Sequence, residues 1–333
     1  MGMLKRGISV MLAASLIGLV GCSGKSAKEK ELEEKIVELQ KQIEKDKVKE
    51  EKTEVEEEEQ SLEVNVIDPN TDEVIKTFLP EEMGFGTKEE KYKEEVENWV
   101  KEIARGTETK DGYDQRMIPD RIGEDGQVIK GTPRVILEEE ELLEKVIYAF
   151  KKGGTVELPL YVSESGYKPE EVSKLEEVVV ASYTTNFDSS VAGRTKNIEL
   201  SAQAINNVIV GEEDIFSFNT TVGPSDEEHG YQKAMEAVNG KLVEGIGGGI
   251  CQTSSTLFNA VDTLGVSYVE KHHHSLDVGY VPKGRDATVS YGGLDFRFQN
   301  TIGIPVVLKA FIENDALIVE VRTSKANQSL IKS

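Results

Sequence analysis

Thiols and imidazoles are scarce in this chain: Cys22 and Cys251 are its two cysteines, and His229, His272, His273 and His274 its four histidines. Cys251 directly follows Gly247-Gly248-Gly249 and Ile250. Ile250, Ser254, Leu257, Phe258, Val261 and Leu264 then recur at helical spacing as far as Gly265. A thiol in the first turn of a helix meets unpaired N–H groups and the positive end of the helix dipole, which favour a thiolate. The glycines let a substrate backbone approach, or offer N–H groups to an oxyanion. His272 and His274 stand two apart, so on a strand they share one face while His273 points away. The expected chemistry is nucleophilic: Cys251 attacks, His272 or His274 takes the proton, and Asp286, Asp295 or Asn300 orients the ring, with Asp286 preferred. Gly247, Gly248, Gly249, Gln252, Ser254, Ser255 and Arg285 are expected to meet the substrate, Arg285 by bidentate binding of a carboxylate from a turn fixed by Asp286.

A helix-borne Cys followed by a strand-borne His is the chain order of papain-like and transglutaminase-like folds. L,D-transpeptidases place His before Cys, the opposite order. The competing reading makes Cys251 a buried packing residue, with Ser254 and Ser255 as small interface side chains and the glycines allowing close approach to a sheet. A metal held by His272 and His274 with Cys251 or His229 matches no ligand-spacing template, and no metal or other cofactor is expected.

These residues need a scaffold, and the surrounding text supplies one. Residues 194–210 suit a helix with Ile198, Ala202, Ile205 and Ile209 on one face, and 214–218 a short strand. After Gly265 come alternating segments expected as strands: VSYVEKHHH, LDVGYV, DATVSYG, LDFRFQN, PVVLKAF and ALIVEVR. Helices followed by an antiparallel sheet mean α+β, not a doubly wound fold. Upstream, residues 62–80 read as two strands around Pro69-Asn70. Residues 88–105 and 138–152 read as amphipathic helices, and TVELPLYV as a strand. That small α/β unit holds no His, no Cys and no phosphate-binding loop. Its helix, Gly153-Gly154 and V-x-L-P order resembles a peptidoglycan-binding module of some extracellular bacterial proteins.

The N-terminus reads as an address. Lys5 and Arg6 precede the apolar run Ile8 to Val20, too short for a comfortable membrane span, and Leu19-Val20-Gly21-Cys22 follows. This resembles a bacterial lipobox, which implies removal of residues 1–21 and lipidation of Cys22 as a membrane anchor. Residues 22–60 carry nine Lys against fourteen Asp or Glu and no aromatic residue. Leu32, Ile36, Leu39 and Ile43 form a short a/d seam before Glu56–Glu59, so a charged spacer, helical in part, is expected. The expected organisation is thus signal 1–21, spacer 22–60, small α/β domain 61–180 and main domain 181–325. The whole chain has 333 residues and a net charge of −22, which argues against nucleic-acid partners.

GGGICQTSSTLFNA, EKHHHSL and YVPKGRDATVSYGGLDFRFQN together resemble the signature of the VanW-like family of bacterial envelope proteins, over about 183–322. One departure is His273, where the family commonly has Pro between two histidines. The resemblance implies an association with the cell wall and with glycopeptide resistance, and no defined reaction. The function expected is therefore a lipoprotein at the cell wall with Cys-dependent hydrolysis or acyl transfer on wall peptides, or a non-catalytic binder of wall polymer or an envelope partner.

Overall fold

The computed structural model describes residues 35–43, 62–107, 109–238 and 240–331. The signal-like segment, Cys22 and most of the spacer lie outside the described residues. The chain divides into two units, Met1–Ser61 and Leu62–Ser333. In the first, residues 35–43 form a helix (α1) on which Ile36, Leu39 and Ile43 are exposed. Among the described residues, no helix is long and apolar enough to cross a membrane.

In the second unit, β1 (Val64–Ile67) pairs antiparallel with β2 (Val74–Phe78) through the turn after Asp68. Helix α2 (Glu89–Arg105) stops at Gly106, whose φ of 78° a side chain would resist. The hairpin β3 (Arg121–Ile122) and β4 (Val128–Ile129) precedes β5 (Arg134–Leu137) and α3 (Glu139–Ala149). The single strand expected over TVELPLYV is two. β6 (Gly154–Glu157) lies parallel to β1, and after Pro159, which has no N–H for a ladder, β7 (Leu160–Ser163) pairs with β5. Val64, Val66, Phe78, Tyr92, Val96, Leu142, Val146 and Phe150 fill the core between α2, α3 and this sheet.

The remainder is built on a four-stranded antiparallel sheet. Its β8 (Val178–Asn186) is followed by α4 (Ala192–Ile205), β9 (Ile209–Val210), β10 (Ile215–Ser217) and α5 (Phe218–Val222). The hairpin β11 (Lys233–Val238) and β12 (Lys241–Ile246) leads into α6 (Ile250–Asp262) and β13 (Ser267–Glu270). Then come β14 (Arg297–Gln299), β15 (Val306–Glu313), β16 (Ala316–Thr323) and α7 (Lys325–Gln328). The order β8-β16-β15-β9 forms the main sheet, and β10-β14-β13 a second. With helices packed against antiparallel sheets, the class is α+β. Ile198, Ile205, Leu257, Phe258, Val261, Leu317, Val319 and Val321 are fully or almost fully buried in one cluster. Each such side chain contributes about 1.5–3 kcal/mol. A smaller cluster of Ile122, Val172, Leu175, Ile209 and Val307 lies beside it.

Two expectations on this half need correction. The helix ends at Ile205, because Asn206 turns extended and Asn207 takes a φ of 64°, so Ile209 sits in β9. The strands expected over LDVGYV and DATVSYG are irregular chain. Side chains of α6 take the backbone groups that a neighbouring strand would have used. Ser255 Oγ accepts from Ala287 N at 2.9 Å, Ser254 Oγ donates to Ala287 O at 2.5 Å, and Asn259 Nδ2 donates to Arg285 O at 2.7 Å. At Arg285 and Ala287 these bonds stand in for a ladder.

Candidate active site

Cys251 stands at the second position of α6, after Gly249, which caps the helix at a φ of 116°. Gly247 also has positive φ, at 91°. Gly248 is required for a different reason: a Cβ there would lie 2.6 Å from the Met235 carbonyl oxygen, because β11 runs against it. Asn197 of α4 fixes this approach by donating to the carbonyls of Gln232 and Gly248, each at 2.9 Å. The glycines are therefore first a packing device. They also form one wall of a cavity of about 770 Å³ that Cys251, His274, Tyr280, Arg194, Thr288 and Val289 share.

The free thiol of Cys251 is partly buried, and its Sγ lies 3.4 Å from Val289 O and 3.8 Å from Thr288 Oγ1. His274 is the histidine that shares the cavity with it. Asp286 Oδ2 accepts from the His274 backbone N–H at 2.6 Å and from Nδ1 at 2.8 Å. A proton held on Nδ1 by the carboxylate leaves Nε2 as the nitrogen available to a thiol. Burial depresses the proton affinity of this imidazole, but hydrogen bonding and charge from Cys251 and Asp286 outweigh it, so its pKa lies above 6.5. Burial likewise raises Asp286, yet the bonds from His274 and His273 prevail and its pKa falls below the usual 3.8. Burial pushes the Tyr280 phenol upward, reinforced by Cys251. Cys251 and His274 thus share the cavity and interact, while Asp286 stands behind the imidazole and bonds its Nδ1.

The other expected residues lie elsewhere or act differently. His272 does not share a face with His274. Residues 271–274 leave the strand after Glu270, and His272 Nε2 bonds Glu270 Oε1 at 3.0 Å with its side chain 38% exposed, against 5% for His274. His273, expected to point away, instead places Nδ1 3.1 Å from Asp286 Oδ1. Arg285 is not fixed by Asp286. It bonds Asn259 Oδ1 and Asp262 Oδ2, each at 2.7 Å, stacks over Phe258, and stands off the cavity wall. Gln252 lines the cavity with its amide buried: Nε2 donates to Thr185 Oγ1 and Asn186 O, each at 3.0 Å. Ser254 and Ser255 are fully buried and tie Ala287 to α6. Asp295 and Asn300 are also fully buried. Asp295 holds Ser217, Asn219 and Arg116, and Asn300 the carbonyls of Val210, Gly211 and Ile304. His229 bonds Asp226 at 2.6 Å. Among the described residues, no cluster of three or more His, Cys, Asp or Glu side chains is placed to hold a metal ion.

Two residues of the cavity were missed in the sequence reading, Arg194 and Tyr280. Arg194 Nη2 donates to Gln252 Oε1 at 2.7 Å, and its guanidinium lies 5.8 Å from the Tyr280 ring centre. Arg194 opens a helix whose apolar face drew the attention, and Tyr280 sits in a segment read as a strand.

Comparison with known proteins places this site in a family. Residues 193–322 match the family model described as VanW like protein. The chain is 38% identical over 214 residues to the protein named Uncharacterized protein YoaR of Bacillus subtilis (strain 168), an alignment covering 63% of this chain and 70% of that one. The chain belongs to the VanW-like family. It is also 27% identical over 156 residues to the Vancomycin B-type resistance protein VanW of Enterococcus faecalis (strain ATCC 700802 / V583), covering 45% of this chain and 57% of that one. No solved structure matches. Arg194, Cys251, His274, Tyr280 and Asp286 all fall within the span matched by the VanW-like model.

Proposed function

We propose that this VanW-like protein works at the bacterial cell wall, anchored outside the cytoplasm by lipid on Cys22, and that Cys251 cleaves or transfers an amide-linked acyl group of a wall peptide. The observation that carries the chemistry is that Cys251 and His274 share one cavity and that Asp286 holds His274 Nδ1 at 2.8 Å from behind it. The location rests on the lipobox-like residues before Cys22 and on likeness to a protein named for vancomycin resistance.

In the proposed reaction, His274 Nε2 takes the Sγ proton as sulfur attacks the scissile carbonyl carbon, forming the S–C bond. Asp286 holds the imidazolium through Nδ1–H. N–H groups of the first turn of α6 face the oxygen that becomes negative. Collapse breaks the C–N bond, and the leaving amine takes the proton from His274. Water, deprotonated by His274, then attacks the thioester, releasing the acid and restoring the thiol. An amine in place of that water gives acyl transfer instead.

A second reading is favoured by one contact, the Cys251 Sγ approach to Val289 O at 3.4 Å, which suits a packing cysteine. The cavity would then bind wall polymer or an envelope partner without turnover. Cells carrying Cys251→Ala or His274→Ala separate the two readings. Both variants should fold and fail under glycopeptide challenge, whereas His272→Ala should match wild type. A folded Cys251→Ala protein with full function would leave the binding reading.

A further inference from the structure

Arg194 is a cation in an unfavourable place. It belongs to the first turn of α4, where the helix dipole presents positive charge and disfavours another cation. Burial depresses its pKa. Among the described residues no carboxylate pairs with it. A desolvated guanidinium without an anion is costly, so its retention in a cavity wall points to a ligand that supplies the anion.

The group is also held in place. Its Nη2 donates to Gln252 Oε1 at 2.7 Å, and the Gln252 amide is itself anchored on Thr185 and Asn186. Gln252 adjoins Cys251 in sequence, so this bond ties the guanidinium to the turn that carries the thiol. Gly249 makes room for the arginine stem, since a Cβ there would stand 3.1 Å from Arg194 Cγ. A guanidinium has five N–H donors, and two of them match a carboxylate in a bidentate pair.

We propose that Arg194 binds the C-terminal carboxylate of a peptide whose neighbouring amide bond lies over Cys251. This inference rests on the proposed function for its catalytic part. It narrows the substrate class to peptides with a free C-terminus, cleaved at or near that end, and excludes internal stretches of chain. Arg194 takes the place that the sequence reading gave to Arg285.

The test compares two probes: a synthetic wall stem pentapeptide with a free C-terminal carboxylate, and the same peptide as its C-terminal carboxamide. Binding is measured by calorimetry on the full chain carrying Cys251→Ala, which removes turnover from the readout. The acid should bind about 10- to 100-fold more tightly than the amide, the worth of a charge-assisted bidentate contact. Adding Arg194→Gln should erase that preference by weakening the acid far more than the amide, and Arg194→Lys should keep part of it. Equal binding of acid and amide, or no binding of either, overturns the proposal even if Arg194→Gln does not fold. A preference for the acid that survives Arg194→Gln also overturns it. So does an equal loss for both peptides together with a shifted pH profile of Cys251 alkylation in Arg194→Gln alone, because the guanidinium then serves the thiol. Preference for the acid in a protein whose wild-type form cleaves neither peptide leaves the anchor standing and removes the enzyme reading.

Discussion

Asp286→Asn tests how the imidazole is held. In the native chain the carboxylate accepts two bonds from His274, at 2.6 and 2.8 Å, with the two side chains only 8% and 5% exposed. The bond to His273 is discounted because that ring is 43% exposed. Both bonds fall on Oδ2, so an Asn oxygen in its place keeps them but without the charge; with charged bonds at about 1.5–3 kcal/mol each and neutral ones at about 0.5–1.5, the loss should be about 2–3 kcal/mol. The pH dependence follows from the two shifts. The depressed Asp286 contributes stability present above its unfolded pKa of about 3.9 and lost as pH falls through its folded value. The raised His274 contributes stability present below about 6.5 and lost as pH rises through its folded value, above 6.5. The difference between native and variant should therefore be largest between about pH 4 and 6.5 and shrink on either side. Urea unfolding at acidic, mildly acidic and alkaline pH measures it, and NMR titration of His274 should show a lower midpoint in the variant. Turnover should fall about a hundred- to ten-thousand-fold, as expected when the tautomer is no longer fixed. A destabilisation independent of pH, with an unmoved His274 midpoint, would refute the reasoning.

Three further outcomes follow, two from this geometry and one from the residues before Cys22. Gly248→Ala should destabilise the fold by about 1–3 kcal/mol, seen as a lowered Tm, because the new Cβ meets the backbone of β11 at 2.6 Å. Arg285→Ala should weaken the tie to Asn259 and Asp262 and lower urea stability by about 1 kcal/mol or less, the pair with Asp262 being partly exposed. It should leave labelling of Cys251 by a thiol probe unchanged, since Arg285 does not line the cavity. Cys22→Ser should release the chain from membranes or leave its precursor uncleaved in cell fractionation, and unchanged retention would contradict the anchor.

Much of this architecture was legible because hydrophobic spacing reports it directly. Helices α2, α3 and α6 lie where their apolar faces recur, and Gly106 and Gly249 mark ends set by backbone conformation. What misled was local alternation in 275–291. Those residues have strand-like composition, but at Arg285 and Ala287 side chains of α6 take the backbone groups through Ser254, Ser255 and Asn259. The face-sharing expected of His272 and His274 was lost separately, because β13 ends at Glu270. Cys251 and Asp286 were visible as residue types beside glycine and histidine motifs. Arg194 carried no such signal, since only folding brings the first turn of α4 against Gln252 and Tyr280.

The central claim is that Cys251 forms a covalent bond with substrate, and mass spectrometry of the full chain incubated with wall stem peptide tests it most directly. The account predicts an acyl adduct on the peptide containing Cys251, released by hydroxylamine as a thioester and absent from Cys251→Ala. Cleavage of the same peptide at wild-type rate by a folded Cys251→Ala protein would contradict it.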